Sequence, residues 1–277
     1  MVLESQQLVD ANGESLTVDQ AIANLRQTED PSLRYYAAWW LGRFRVKEPA
    51  AIAALVDALE DETDRAPDGG YPLRRNAARA LGKLGDRSVV PALVQCLSCA
   101  DYYVREAAVQ ALEMLGDSSC AEPLQALLAG GVEAAVQVPG KPHLVHPYNA
   151  ILEALGSLGV QQAVDEIVPF VEHSVPQVRN AAARALYQLT GDASFCDRLI
   201  EVLQGPNLQL RRSAMMDLGA IGYLPAADAI AATLAENSLK LIALQGVLEH
   251  HLQETQFPNA PLSSDAQRVM SLMDELL

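Results

Sequence analysis

Apolar residues recur along this chain in a pattern that predicts a row of similar helices. In five segments an arginine is followed by alanine three residues later and by leucine seven residues later, which places the alanine and the leucine on one helix face. The segments start at Arg34, Arg74, Arg105, Arg179 and Arg211, with a weaker copy at Tyr148. The seventh-residue leucines lie 40, 31, 43, 31 and 32 residues apart, so a period near 31 residues is present. Such a period indicates structural repeats that stack on one another.

A second apolar helical run precedes each of these segments, so every repeat is predicted to be a pair of helices. The first runs cover residues 18–25, 50–59, 89–97, 121–128, 163–171 and 197–203, and a seventh pair without the arginine covers 226–234 and 239–252. Gly85, Gly116 and Gly191 are each followed by aspartate, an order typical of a left-handed helix end and a new helix start. The sequence therefore predicts an all-α protein, a crescent-shaped α-solenoid of about seven helix pairs that resembles the HEAT type.

The repeats also predict how the chain is divided. Residues 17–252 are expected to form the solenoid, after a loose lead-in at 1–16 and before a linker and amphipathic helix at 253–277. Thr17 and Ser263 are expected to cap the first and last helices, and the last helix either covers the final repeat or docks on a partner.

Two insertions account for the two long spacings between repeats. They lie at 61–72, where carboxylates, glycines and prolines exclude a helix, and at 130–147, where three prolines, two histidines and the adjoining Tyr148 favour an ordered loop. Each insertion joins the first helix of its repeat to the second, and in a solenoid that connection emerges on one edge. We therefore expect the two insertions to meet at one rim.

Charge and composition exclude several classes of function. The formal net charge of −15 argues against nucleic-acid binding, which needs a basic surface. Among the four cysteines, Cys96 and Cys99 form a C-x-x-C without a second pair or a nearby histidine, so reduced thiols and no metal site are expected. Neither a signal peptide nor an apolar run approaching 18 residues is present, so we expect a cytoplasmic protein that does not bind a membrane.

The first of the arginine-led helices is unusually aromatic. Residues 34–43 read RYYAAWWLGR and contain both tryptophans of the chain. A helical projection places Tyr36, Trp39 and Arg43 outward and Trp40 on the flank. This crowding favours either a binding wall or a hydrophobic cover for the exposed first repeat.

The next arginine-led helix presents Arg79 and Lys83 at the equivalent outward positions. Second helices generally line the concave side of such solenoids, so the aromatic and basic side chains are expected to share one groove. Aromatic faces with cations beside them suit a flat conjugated ligand that carries carboxylates. The arginines that start the repeats are expected to be structural, bonding backbone carbonyls or the turn aspartates.

The segment RYYAAWWLGR, the first insertion and the segment HPYNAILEALG at 146–156 together resemble the E subunits of the CpcE/CpcF type of phycobilin lyases. The resemblance extends from about Ser15 to His251. It implies a heterodimer with an F-type lyase subunit, in the cytosol of a cyanobacterium or a related organism, which transfers phycocyanobilin to the phycocyanin alpha subunit. Phycocyanobilin is then a substrate, and no cofactor is permanently bound. The implied chemistry is addition of an acceptor cysteine thiolate to the ethylidene group of bilin ring A, which gives a thioether.

The resemblance assigns no catalytic role to single residues, so the candidates follow from position. Carboxylates of the first insertion, with Asp61 and Asp64 foremost, would favour protonation of the bilin. His143 or His146 would carry protons near neutral pH, although ordinary hydrogen bonding is the alternative for both. The residues expected to bind the bilin are Tyr36, Trp39, Trp40, Arg43, Arg79, Lys83 and Tyr148.

Three other functions are compatible with these sequence features. Within the family, the E subunit of a phycoerythrocyanin lyase-isomerase or a bilin-detaching HEAT protein would look similar. A non-catalytic HEAT scaffold is the alternative from another class. A HEAT-like iron hydroxylase would place His-Glu dipeptides on several helices, and the sequence has none.

Overall fold

The computed structural model describes residues 16–255 and 261–277, and this part of the chain contains sixteen α-helices and no strand. The lead-in expected at 1–16 lies outside the described residues except for its last residue, as does part of the linker. The helices are α1 (Val18–Arg26), α2 (Pro31–Arg43), α3 (Pro49–Ala58), α4 (Pro72–Leu84), α5 (Val90–Cys96), α6 (Tyr102–Leu115), α7 (Ala121–Ala126), α8 (Gly131–Ala134), α9 (Tyr148–Ser157), α10 (Val164–Ile167), α11 (Pro176–Thr190), α12 (Ser194–Leu203), α13 (Leu208–Ala220), α14 (Ala227–Ala232), α15 (Asn237–Glu254) and α16 (Ser264–Asp274).

Contacts between these helices divide the chain into two compact units. One unit extends to Ala126 and includes Gln137–Pro147, and the other comprises Leu127–Val136 and Tyr148–Leu277. In the first unit α2, α4 and α6 stack in order, with α1, α3 and α5 packed beside them. In the second unit α9, α11, α13 and α15 stack in order, with α12 and α14 beside α13 and α15. Each unit is thus built from stacked helix pairs, which confirms the all-α repeat prediction.

The alanine and leucine of the repeat pattern form the core of both units. Burying a leucine stabilises a fold by roughly 1.5–3 kcal/mol, and alanine beside it lets the helices approach closely. The following residues at these positions have no exposed surface: Ala37, Leu41, Ala77, Leu81, Ala108, Leu112, Ile151, Leu155, Ala182, Leu186, Ala214 and Leu218.

Short turns end the arginine-led helices as the sequence predicts. Gly85 follows α4 with a φ of 74°, a left-handed conformation that glycine adopts without a steric cost. The carboxylate of Asp86 then accepts a hydrogen bond from the backbone N–H of Ser88 at 2.9 Å and starts the next helical segment. The same order of residues recurs at Gly116 and Gly191, where φ is 61° and 73°.

Successive second helices touch through positions that carry almost no side chain. A Cβ atom placed on Gly42 of α2 would lie 2.8 Å from the Cα of Ala80 on α4, which is closer than real Cβ atoms approach. Gly82 on α4 meets Ala111 on α6 at the same distance. The second unit repeats this contact between Gly156 and Ala185 and between Gly219 and Ala243.

The arginine that starts each repeat donates hydrogen bonds to backbone carbonyls, which confirms its structural role. Such bonds satisfy carbonyls that the helix ends leave unpaired. The acceptors are the oxygens of Asp61 for Arg74 (2.7 Å), Cys99 for Arg105 (2.6 Å), His173 for Arg179 (2.7 Å) and Gly205 for Arg211 (2.6 Å).

The seventh helix pair keeps this interaction with a different residue. Lys240 is buried and donates from Nζ to the carbonyl of Ala231 at 2.9 Å. Ala243 and Val247 follow it at the third and seventh positions, so the last pair carries the repeat with lysine in place of arginine. This copy was not predicted from the sequence, because lysine and valine stand where the other copies have arginine and leucine.

Arg34 differs from the other arginines because it also forms an ion pair. Its guanidinium is 5 % exposed, donates to the carbonyl of Leu25 at 3.1 Å and to the hydroxyl of Thr63 at 3.0 Å, and lies 2.5 Å from a carboxylate oxygen of Asp61. The first insertion is thereby anchored to α2 by a nearly buried pair of charges.

One segment differs from the sequence prediction. The apolar run at 163–171 is not one helix, because α10 ends at Ile167 and a 3₁₀ segment, Val168–Glu172, follows. Pro169 lies at that break and has no N–H to donate to an α-helical ladder.

The second insertion contains local order, as the sequence predicts. Helix α8 forms one turn in it, and Gln137 pairs with Leu144 in an isolated antiparallel bridge.

The last helix covers the final pair. The hydroxyl of Ser263 accepts a hydrogen bond from the backbone N–H of Ala266 at 3.1 Å, as predicted for an N-cap. Helix α16 packs against α14 and α15, and Val269 on its inner face is 1 % exposed. Of the two expected roles for this helix, the structure favours covering the repeat.

Gly82→Ala is expected to lower the melting temperature. A methyl group would collide with the backbone of Ala111, and adding volume at a packed site costs about 1–3 kcal/mol. This cost exceeds the ~1 kcal/mol that alanine gains over glycine within a helix. Thermal unfolding followed by circular dichroism measures the change. The exposed neighbour Lys83→Ala is the control, and a Gly82→Ala variant as stable as the wild type would contradict the contact.

Asp61→Asn is expected to destabilise the protein at neutral pH by about 3–5 kcal/mol, because it leaves the buried Arg34 without its counter-charge. Burial raises the pKa of Asp61, but hydrogen bonds from Arg34, the Asp64 backbone and Thr63 outweigh it and hold the pKa below its usual value. The pair therefore contributes stability above the unfolded pKa of about 4, which is lost as pH falls through the lowered folded pKa.

Melting temperatures of wild type and Asp61→Asn, measured from neutral to acidic pH, should accordingly converge in acid. Glu62→Gln removes a neighbouring but exposed carboxylate and serves as the control. A difference between wild type and Asp61→Asn that stays constant down to the acid range would contradict this account.

Candidate functional site

Trp39 and Tyr36 form an aromatic pair on the outward face of α2. Their ring centroids are 5.6 Å apart with an interplanar angle of 28°, and Trp39 is 46 % exposed. Arg43 lies one turn further along the helix and is also exposed. The arrangement confirms the predicted outward positions and offers a stacking surface with a cation beside it.

Trp40 does not belong to this surface. It is 9 % exposed, and its ring centroid is 5.0 Å from that of Phe44. Consecutive residues on a helix are about 100° apart, so the neighbour of an exposed tryptophan turns inward here. The expectation that Trp40 contacts a ligand is corrected accordingly, and its ring stabilises the end of α2.

Arg79 and Lys83 on α4 continue the outward face of α2. Both are exposed, and the contact between Gly42 and Ala80 places α4 directly beside α2. Within the described part of the chain, neither residue nor Arg43 forms an ion pair. These cations are therefore available to the carboxylates of a ligand.

The two carboxylates predicted to be catalytic in the first insertion are both engaged by the fold. Asp61 pairs with Arg34, and its lowered pKa makes it a poor proton donor. Asp64 accepts a hydrogen bond from the hydroxyl of Tyr35 at 2.6 Å. Burial and then this bond raise the pKa of Tyr35 to about 12. The carboxylate of Asp61 thus anchors the first insertion to α2, and its role in bilin protonation stays a prediction that this pairing does not favour.

The two histidines of the second insertion have different surroundings. The ring of His143 stacks on Tyr102, with centroids 4.2 Å apart and an interplanar angle of 14°, and its Nδ1 lies 2.9 Å from the carbonyl of Leu144. His146 is partly buried, and burial followed by the charge of Arg105 lowers its pKa. A neutral imidazole is therefore expected for His146 at neutral pH.

The two insertions meet at the start of α6, as the repeat geometry predicts. Asp101 joins the first insertion to that helix: its carboxylate accepts hydrogen bonds from the backbone N–H of Tyr71 at 2.7 Å and from that of Tyr103 at 2.8 Å. His143 of the second insertion stacks on Tyr102 of the same helix. A cavity of about 470 Å³ lies between them. It is lined by residues 68–70 of the first insertion, by residues 138 and 141–143 of the second, and by residues 100–103 and 105.

Tyr148 is placed in the second unit and is buried. It is 1 % exposed, and its ring centroid is 5.6 Å from that of Phe170. Burial also raises the pKa of its hydroxyl. The ring has no exposed face for a ligand, which corrects the expectation that Tyr148 binds one.

Glu106 is a candidate that the sequence analysis missed. It directly follows the repeat arginine of α6, at the position that Tyr35 and Arg75 occupy on the two preceding second helices. Burial raises its pKa, against the opposing charges of Arg79, Arg75 and His143. The outward positions predicted from the sequence were the second, fifth and ninth after each repeat arginine. The residue directly after the arginine was therefore not among the candidates.

Neither a metal site nor a membrane span is found in the described residues. No group of three or more histidine, cysteine, aspartate and glutamate side chains is arranged to hold a metal ion there. Within 16–255 and 261–277, every helix is too short or too polar to cross a membrane.

Family models match the greater part of this chain. A model for HEAT repeats matches residues 63–137 and 142–219, and a model for the PBS lyase HEAT-like repeat matches residues 33–61. Both fall on the stacked helix pairs described above.

Individual relatives are similar along nearly the whole chain. A phycocyanobilin lyase subunit alpha from Synechocystis sp. is 63 % identical over 262 residues, which cover 94 % of this chain and 96 % of the relative. The bilin biosynthesis protein PecE from Mastigocladus laminosus is 46 % identical, covering 84 % of this chain and 82 % of PecE.

A solved structure agrees with these relatives. A chain in the complex of CpcE and CpcF of phycocyanin lyase from Nostoc sp. superimposes with a TM-score of 0.88 at 59 % identity, covering 98 % of this chain and 99 % of that one. The repeat pattern, the aromatic helix and these similarities agree, and the chain belongs to the family of phycocyanobilin lyase alpha subunits.

Proposed function

We propose that this chain is the alpha, or E-type, subunit of a heterodimeric lyase that attaches phycocyanobilin through a thioether to a cysteine of the phycocyanin alpha subunit. The similarity to phycocyanobilin lyase alpha subunits over more than nine tenths of the chain carries this proposal. The structural match to a chain from a complex of CpcE and CpcF supports an F-type partner. We place the reaction in the cyanobacterial cytosol, where the acceptor is assembled.

The outward face of α2 and α4 is the proposed bilin surface. Tyr36 and Trp39 provide flat aromatic area on which a conjugated tetrapyrrole can stack. The exposed cations Arg43, Arg79 and Lys83 then bind the two propionates of the bilin. Phycocyanobilin is a substrate in this scheme, and no cofactor is permanently bound.

Three of the four cysteines, Cys96, Cys120 and Cys196, are buried and poorly suited to form a covalent intermediate on the lyase. Burial raises the pKa of Cys96 to about 11 and that of Cys196 to about 12, and it raises that of Cys120 as well. These thiols therefore remain protonated and are poor nucleophiles. The lyase contributes orientation of the bilin, exclusion of wrong adducts and control of its protonation, and the acceptor supplies the sulfur.

The lyase-isomerase alternative is less well supported. PecE is 46 % identical to this chain, against 63 % for a phycocyanobilin lyase subunit alpha. No feature of the described residues favours bilin removal or a purely scaffolding role.

Reconstitution tests this function. This chain, an F-type partner, phycocyanobilin and the phycocyanin alpha subunit are combined, and the acceptor is examined by denaturing electrophoresis and bilin fluorescence. We expect a covalent fluorescent band that disappears when this chain is omitted, with the absorbance of unisomerised phycocyanobilin. A band that forms equally without this chain, or bilin stripped from preloaded acceptor, would contradict the proposal.

The double variant Trp39→Ala with Arg43→Ala is expected to weaken bilin binding by the heterodimer at least about tenfold, since it removes a stacking face and a carboxylate partner. Both side chains are exposed, so helicity should stay near that of the wild type. Leu33→Ala on the same helix is the matched control, because Leu33 is 43 % exposed and Trp39 is 46 % exposed. Absorbance titration with phycocyanobilin gives the affinities, and an unchanged affinity would assign the tryptophan to covering the first repeat.

A further inference from the structure

Glu106 is a partly buried carboxyl group that the fold itself does not use. It lies in the first two turns of α6 and, in the described part of the chain, takes part in neither a hydrogen bond nor an ion pair. The charges around such a carboxylate offset part of its lost hydration, and a ligand that supplies a donor would offset more. Asp61 and Asp64 differ from it because Oδ2 of Asp61 accepts a hydrogen bond from Arg34 and Oδ1 of Asp64 accepts one from Tyr35, although Oδ2 of Asp64 is buried without a partner in the described residues.

Charged and titratable groups from each neighbouring element surround Glu106. Arg75 and Arg79 of α4 and His143 of the second insertion act on it as positive or potentially positive charges. Tyr102 on α6 itself is close enough for the carboxylate to raise its pKa, after burial. The Nε of Arg75 is buried and has no hydrogen-bond partner in the described residues.

The same cluster reaches the proposed bilin surface. Arg79 is one of the cations assigned to the propionates. Burial raises the pKa of Glu106, and among the charges that oppose this rise Arg79 has the largest effect. When a propionate pairs with Arg79, the positive potential at Glu106 falls, so binding of the bilin favours the protonated form of this carboxyl. Binding of the substrate thus favours protonation of Glu106 before the transfer.

We propose that Glu106 is the acid–base residue that contacts the pyrrole nitrogens of the bilin and controls its protonation during transfer. This inference rests on the proposed lyase function and adds to it the group that handles the proton. Tetrapyrroles present several N–H donors and one imine acceptor at the centre of the conjugated plane. A carboxyl that lacks protein donors matches both kinds of group.

The proposed steps balance without an additional reactant. The carboxylic acid of Glu106 gives its proton to the imine nitrogen, which leaves a carboxylate and a bilin cation. The carboxylate next accepts the proton of the acceptor's thiol. The resulting thiolate bonds to the ethylidene carbon of ring A, and the electron pair of the C=C bond moves into the cation and neutralises it. The sum is conjugate addition of S–H to the bilin, with the sulfur on the ethylidene carbon and the proton on the nitrogen, and the acid is regenerated.

The test uses Glu106→Gln in the complete heterodimer with phycocyanobilin. This change keeps the shape and removes the acid. We expect the amount of bound bilin to stay within about twofold, while the attachment rate falls at least about a hundredfold, as for loss of a general acid. The pH midpoint at which the absorbance of non-covalently bound bilin changes should move down by about one unit or more, since the carboxylate no longer stabilises the cation.

Three variants complete the test. Glu106→Asp retains an acid and should recover part of the rate and the midpoint. Glu122→Gln removes an exposed carboxylate on α7 and should change neither. Should Glu106→Gln lower the helicity, Glu106→Met fills the same volume without an acid and is interpreted in the same way.

Each outcome decides the inference. A lower rate together with a lower midpoint supports it. A Glu106→Gln heterodimer that attaches bilin at the wild-type rate with the wild-type midpoint overturns it and leaves the lyase proposal standing. A wild-type heterodimer that attaches no bilin overturns the lyase proposal, and the inference about Glu106 falls with it.

Discussion

Direct contact between backbones holds successive second helices together, and it is possible because glycine faces alanine where the helices cross. At Gly42 and Ala80, and again at Gly82 and Ala111, a single added methyl group would collide with the neighbouring helix. With no side chain between the helices, the residues on either side of each contact lie beside one another. The aromatic pair on α2 and the cations on α4 therefore form one continuous surface, although they are about 40 residues apart in sequence.

Two of the repeat arginines hold the insertions in place. Arg34 holds the first insertion through Asp61 and Thr63, and Arg105 holds the second through the carbonyl of Val145 at 2.7 Å. Both insertions also reach the start of α6, where Asp101 accepts a hydrogen bond from the first and His143 of the second stacks on Tyr102. Loops held in this way are suited to position a ligand, since little ordering is left to be done on binding.

Much of the fold follows from rules that act within one helix or one turn. The repeat pattern, the left-handed glycines and the caps at Thr17 and Ser263 depend on nearby residues, and each was predictable. Features that depend on contact with another helix or insertion were not predictable. Tyr148 is buried against Phe170, which lies in another segment of the chain. Trp40 packs against Phe44, four residues further along, so that contact was within reach of the sequence pattern. Asp61 looks like a free acid until Arg34 is placed beside it, and Glu106 looks like an ordinary surface residue until α4 and the second insertion surround it.

Hydrogen exchange measured by mass spectrometry, on the heterodimer with and without phycocyanobilin, tests most directly whether the bilin lies on the face that these contacts create. The account predicts that bilin slows exchange in α2 and α4, at the start of α6 and in both insertions, in peptides covering residues 34–43, 75–84, 101–106, 64–71 and 138–146. Peptides from 176–254 should exchange at the same rate in both states. Protection confined to 176–254, with none in α2 or α4, would contradict the account.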